Sequence, residues 1–182
     1  FMSYPFNQVR RLEFYGGFQL FDFDHEIVTN AYDYYTGDLL YRQTEHLASP
    51  SSIHFFNSTM SLVYDSSLFG ATAPIIGQSY ILQVTPNFGS FTYYELMADY
   101  RKYFMPAKPF TLAFRLLHYG RWGKGGERFW PIYLGYDTLV RGYDYYSIGA
   151  DEADPTDKQK YLDQNRLWGS KILVGNVELR WP

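Results

Sequence analysis

What most constrains this chain is an alternation. Over stretches of roughly ten to thirteen residues, apolar side chains hold every second position and polar ones fill the gaps, which is the two-residue period of a β-strand. Leu12, Phe14, Gly16, Phe18 and Leu20 share one side of a strand predicted over about Arg11 to Phe23, opposite Glu13, Tyr15, Gly17 and Gln19. Over about His54 to Asp65, Phe56, Met60, Leu62 and Tyr64 oppose Asn57, Thr59, Ser61 and Asp65. Over about Gln78 to Asn87, Tyr80, Leu82 and Val84 oppose Ser79, Gln83 and Thr85. A fourth strand, about Phe91 to Phe104, sets Tyr94, Leu96, Ala98 and Tyr100 against Glu95, Asp99 and Arg101. The fifth, about Phe110 to Trp122, sets Phe110, Leu112, Phe114 and Leu116 against Thr111, Ala113, Arg115 and Arg121. The last, about Lys171 to Trp181, sets Leu173, Val177, Leu179 and Trp181 against Asn176, Glu178 and Arg180.

These strands exceed the roughly five to six residues typical of globular sheets and approach the roughly 9–11 that cross a bilayer when tilted. Composition agrees: 21% of the 182 residues are aromatic and only 19% are charged. Mean hydropathy is nevertheless −0.32, and no apolar run nears the roughly 18–20 residues of a membrane helix. A transmembrane barrel reads this way because only alternate residues face lipid. A soluble β-sandwich or small barrel shares much of the composition; strand length argues against it. Parity alone leaves open which face points inward. The expected fold is all-β, an antiparallel transmembrane β-barrel segment of about six strands.

Prolines close on aromatic residues at Tyr4-Pro5, Phe104-Met105-Pro106 and Trp181-Pro182, and proline, lacking an amide hydrogen, suggests where strand pairing stops. Short turns such as Met105 to Pro109 suit a periplasmic side. The long segments 24–52 and 123–170 suit extracellular loops, so the chain is expected to open in one periplasmic turn and close in another. Six strands fall short of the roughly eight that close the smallest membrane barrels, and open edges in lipid leave backbone groups unsatisfied. The chain therefore reads as an internal fragment, or as one that closes with copies of itself. Its first residues lack the basic and apolar regions of a signal peptide, which places the expected start of the protein upstream. A net charge of −3 gives no footprint for nucleic acid, and the absence of cysteine excludes a disulfide framework and thiolate chemistry.

The sharpest motif is Leu139-Val140-Arg141-Gly142-Tyr143, deep in the connection between the fifth and sixth strands. It is preceded by an arginine-bearing strand running into Gly120-Arg121-Trp122-Gly123-Lys124-Gly125-Gly126 and by the aromatic-glycine stretch Phe129 to Gly135. An acidic stretch, Asp144 to Gln164, follows it, and Gly169 to Pro182 then carries an acidic residue before an apolar-aromatic-proline end. Together these resemble the VRGF/Y motif and its flanks in the Omp85 superfamily, the BamA-type outer-membrane barrels that include surface antigens and two-partner secretion transporters. Asp65, Phe69-Gly70, Pro74 and Gly77 resemble that family's periplasmic hairpin more loosely. The resemblance spans roughly residues 5–182, with 24–52 unmatched, and implies about strands seven to twelve of a sixteen-stranded barrel. It further implies a loop over about 123–170 that folds into the lumen, with Arg141 held by a wall carboxylate. Glu178 is the natural partner, because guanidinium and carboxylate form paired charge-assisted bonds. Gly142 would allow close backbone approach, and Tyr143 would pack beside it. Glu95, Asp99, Arg101, Arg115, Arg121 and Arg180 are expected to face the lumen, either as a network steadying the loop or as an ordinary wet wall.

Catalytic readings find little. His25, His46, His54 and His118 lack local metal-ligand spacing and no HExxH occurs. Gly123-Lys124-Gly125-Gly126 lacks the Gly-Lys-Ser/Thr of a phosphate loop. There is no G-x-S-x-G elbow, and Asp151, Glu152 and Asp154 lie in a polar stretch where solvation suffices. No enzyme activity, cofactor or metal is therefore expected. The resemblance implies assembly, insertion or translocation of outer-membrane proteins in a Gram-negative-type outer membrane. The lipid bilayer would surround the barrel. Nascent barrel proteins and periplasmic or lipoprotein partners would act through regions outside this chain. A surface-antigen barrel or pore without insertase activity, fused to another domain, is the alternative; a soluble β protein is the third reading.

Overall fold

A computed structural model of the chain describes residues 1–140 and 167–181. Every regular element among them is a strand except for short turns: β1 (Met2–Pro5), β2 (Arg10–Phe21), β3 (His25–Tyr32), β4 (Leu39–Leu47), β5 (Ile53–Asp65), β6 (Leu68–Phe69), β7 (Pro74–Gly89), β8 (Tyr93–Ala107), β9 (Phe110–Trp122), β10 (Ile132–Tyr133), β11 (Trp168–Gly169) and β12 (Lys171–Arg180). The main sheet runs β1-β2-β5-β7-β8-β9-β12, with β6 folded back on β7. All its ladders are antiparallel. The six strands expected from the alternation are β2, β5, β7, β8, β9 and β12. Among the described residues the sheet does not close, and β1 and β12 are its free edges.

Several boundaries differ from expectation, each for a local reason. Tyr4 and Pro5 do not precede the first strand; they pair with Leu12 and Arg11. The turn comes after them, where Asn7 Oδ1 accepts from the amides of Val9 and Arg10 at 3.0 and 2.8 Å. Pro106 does not end β8. The ladder shifts register between Phe104 and Ala107, and a bulge tolerates a residue with no amide to donate. The turn that follows is only Lys108-Pro109.

Segment 24–52 is no open loop. It forms the β3–β4 hairpin, a two-stranded sheet of its own. Both its faces mix polar and apolar residues, so no alternation announces it. Its turn is set by Asp33, whose Oδ1 accepts from the amides of Tyr35 and Thr36 at 2.8 and 2.9 Å; those bonds, Thr36's foremost, hold the carboxyl below its ordinary pKa. Segment 123–170 likewise contains the short β10–β11 pair, Ile132 opposite Gly169 and Tyr133 opposite Trp168.

The two faces of the main sheet differ in chemistry and in exposure. One presents Phe56, Leu82, Leu116 and Leu173 to the surroundings, at 56%, 48%, 54% and 68% exposure. The other buries Asn57, Ser61, Thr85, Asn87, Asp99 and Thr111, with Phe55 among them fully enclosed. The little core the molecule has thus lies on its polar side.

At the opposite end from the β3–β4 hairpin, Gly77 takes φ +112°, and a Cβ there would meet the backbone of Ser66 and Ser67. Gly77→Ala should therefore destabilise the fold by about 1–3 kcal/mol. A denaturant midpoint equal to that of the wild type would contradict this.

Candidate functional site

The polar positions of β8, β9 and β12 line up across the ladders: Arg101 is opposite Arg115, which is opposite Asn176, and Ala113 is opposite Glu178. Two adjacent arginines would repel each other unless a carboxylate stood between them. Asp99 supplies it. Its Oδ2 accepts from Arg101 Nη2 at 2.7 Å and from Arg115 Nη2 at 2.9 Å, and its Oδ1 accepts from Arg115 Nε at 3.1 Å. The Asp99 side chain is only 9% exposed, where paired charge-assisted bonds are needed to offset lost hydration.

That arrangement leaves Arg115 Nη1 free to reach the segment after β9. It donates to the backbone carbonyl of Thr138 at 2.9 Å. One residue on, Asn176 Nδ2 donates to the carbonyl of Leu139 at 3.2 Å. A turn presents both carbonyls, with the amides of Leu139 and Val140 bonded to Tyr136 O at 2.9 and 3.0 Å. Nearer the start of the segment, Arg121 Nη1 donates to the carbonyl of Trp130 at 2.5 Å. The same guanidinium lies 3.6 Å from Glu95 Oε1 and 5.0 Å from the Phe129 ring centroid. Phe129 completes an aromatic cluster with Phe21, Phe55, Phe91 and Tyr93, centroids 5.9 to 6.5 Å away. Tyr133 and Trp168, 4.7 Å apart, bring the two ends of the long connection together.

The described part of the segment therefore folds over the polar face, and its backbone is held by side chains of the sheet at three places. Between the second grip and β12 lies a cavity of about 320 Å³, lined in part by Arg101, Arg115, Thr138, Asn176 and Glu178. Glu95, Asp99, Arg101, Arg115, Arg121, Glu178 and Arg180 all share this face, as the alternation predicts. Glu178 pairs with its neighbour Arg180 at 2.9 Å. Val140 is half-buried at the end of the described part of the loop. Arg141, Gly142 and Tyr143 lie outside the described residues.

Three participants were not singled out by the sequence. Asn176 is one; its position two residues before Glu178 is the signal that could have found it. The carbonyls of Thr138 and Leu139 are another, since backbone acceptors leave no mark in a sequence. The third is away from the wall, where Asp24, Glu26 and His46 bring ligand atoms within 4.8 Å of one another. Local spacing could not find this group, because strand pairing assembles it.

No family model, curated protein or solved structure matches the chain.

Arg115 and Arg101 both hold Asp99, but among the described residues Arg115 alone of the two reaches the loop. Arg115→Ala should therefore speed proteolysis within 123–140 several-fold, by losing bonds worth roughly 1.5–3 kcal/mol each, while Arg101→Ala should leave that rate near wild type. Equal cleavage of both variants would contradict the assignment.

Proposed function

We propose that this chain is part of the wall of an outer-membrane β-barrel of the Omp85 type, non-catalytic and without a cofactor, serving the assembly, insertion or translocation of outer-membrane proteins. The observation that carries the membrane reading is the banded pattern on the exposed face. Across β2, β5 and β7 runs one aromatic row, Phe18 opposite Phe56 opposite Phe88. It continues through Tyr94, opposite Trp122, with Lys171 Nζ 4.0 Å from the Trp122 ring centroid. A second row, Tyr64, Tyr80 and Tyr100, crosses the same strands nearer the short turns. Tyr64 and Tyr80 stack at 5.1 Å, and Arg10 lies 5.7 Å over Tyr64.

Between the rows the face carries Met60, Leu62, Leu82, Val84, Leu96 and Ala98. On β5 the rows are eight residues apart, about 26 Å along the strand at ~3.3 Å per residue. A tilt of about 35–45° shortens this to roughly 20 Å, near the ~25 Å apolar band between the aromatic girdles of membrane barrels. The buried polar side fits a barrel interior, where water or ion pairs satisfy such groups.

The Omp85 assignment rests on the resemblance of Leu139 to Tyr143 and its flanks, and the inward course of the loop supports it. Leu139 is held to Asn176. Arg141 is two residues beyond the first, and Glu178 two residues beyond the second on the same face. Two extended residues span at most about 7 Å, a matched spacing that supports a contact between Arg141 and Glu178. On this reading Arg141 joins Arg180 at Glu178, locking the loop to β12. The surroundings are the lipid bilayer of a Gram-negative-type outer membrane, and the polypeptide clients and periplasmic or lipoprotein partners engage other parts of the barrel.

Arg141→Ala should leave membrane insertion intact while lowering the melting temperature and the protease resistance of the loop. Unchanged melting together with unchanged loop resistance would refute the Arg141–Glu178 lock. Failure of the wild-type protein to stay in alkali-washed outer membranes would refute the membrane reading itself.

A further inference from the structure

Among the described residues, the β3–β4 hairpin forms a two-stranded sheet of its own. Its strands pair only with each other, and nearly every residue is exposed, with Tyr34 and Tyr35 at its tip exposed at 92% and 93%. A two-stranded hairpin without a packed face is marginally stable in water. What the hairpin does carry, at its stem, is a converging set of donors. Glu26 on β3 is the direct cross-strand partner of His46 on β4, so the ladder holds carboxylate and imidazole side by side. Asp24, just before β3, reaches the same point: its Oδ1 lies 3.5 Å from His46 Nδ1. Ligand atoms of all three lie within 4.8 Å of one another.

The electrostatics of the group are unbalanced. Two carboxylates share a small volume, and among the described residues neither has a lysine or arginine within ion-pair distance; His46 is the one basic group beside them. Like-charged carboxylates this close favour a bound cation. One nitrogen and two oxygen donors form a set suited to borderline first-row divalent ions rather than to the all-oxygen sites of calcium or magnesium. Zinc bonds of about 2.0–2.2 Å place donors roughly 3.3–3.6 Å apart in a tetrahedron. The three side chains are exposed, so rotamer adjustment of about an ångström brings them to that spacing, with water completing the shell.

We propose that Asp24, Glu26 and His46 form a binding site for a first-row divalent cation, with zinc as the probe, that clips the stem of the β3–β4 hairpin. The ion joins the segment entering β3 to the end of β4, and supplies the cross-link that packing does not. The site sits outside the main sheet, so it stands or falls independently of the membrane reading.

The test is a zinc titration of the purified, chelator-treated chain in detergent, followed calorimetrically, with proteolysis of segment 24–52 as a second readout. The wild type should bind one zinc saturably, and zinc should slow cleavage of the hairpin. His46→Ala and Glu26→Gln should each weaken binding by about 10- to 100-fold or more, the loss that even outer-shell partners produce, and abolish the protection. His25→Ala, one residue from Glu26 but on the other face, should bind as the wild type does. No saturable binding by the wild type, indistinguishable isotherms for wild type and His46→Ala, or equal loss in His25→Ala would each overturn the proposal.

Discussion

Asp99 holds two arginines on neighbouring strands, and the organisation of the covered face follows from that sharing. Without the carboxylate, Arg101 and Arg115 would stand opposite each other with like charges directly paired, an arrangement that destabilises a ladder. With it, Arg115 is fixed in position and still has a donor to spend on Thr138. The loop is thereby tied to the strand that precedes it and, through Asn176, to the strand that follows it. A polar face in a sheet is costly unless each buried group finds a partner. Here Asp99, Arg115 and Asn176 find partners in other residues of the sheet and in the backbone of the loop.

The grip is chemically uniform. Arg121, Arg115 and Asn176 all donate to carbonyls, of Trp130, Thr138 and Leu139, and none of these three bonds involves a loop side chain. Such contacts constrain the path of the loop while leaving its side chains free to vary. Side-chain specificity enters at Phe129, which fills the aromatic cluster beside Arg121. That cluster also encloses Phe55, the one large side chain fully buried among the described residues. Core and loop base are therefore one structure, and the apolar residues of the sheet's opposite face stay exposed.

Much of this was legible in the alternation. Every strand expected from the alternation formed, with β7 extended to Pro74–Gly89 and β8 to Ala107, because a period of two sustained over ten or more residues has few other solutions. The placement of Glu95, Asp99, Arg101, Arg115, Arg121, Glu178 and Arg180 on one face followed from the same period. What parity could not decide was which face is covered; the loop's docking decides it, and that depends on contacts between residues far apart in sequence. The β3–β4 hairpin escaped notice because its faces are mixed. Pro5 and Pro106 misled as strand ends, since an edge strand tolerates the first and a bulge the second. The cluster of Asp24, Glu26 and His46 exists only through the Glu26–His46 register, which no local spacing encodes.

The central claim is that the apolar face meets lipid while the polar face is sheltered beneath the loop. The chain contains no cysteine, so single labels can be placed without background. Spin labels at Leu82→Cys, Gln83→Cys and Val84→Cys, in the protein inserted in lipid bilayers, report collisions with oxygen, which concentrates in lipid, and with a water-soluble nickel chelate. The account predicts high oxygen and low nickel accessibility at 82 and 84, and low oxygen accessibility at 83. The reverse alternation, or nickel access at 82 and 84 matching that of an exposed loop site, would contradict it.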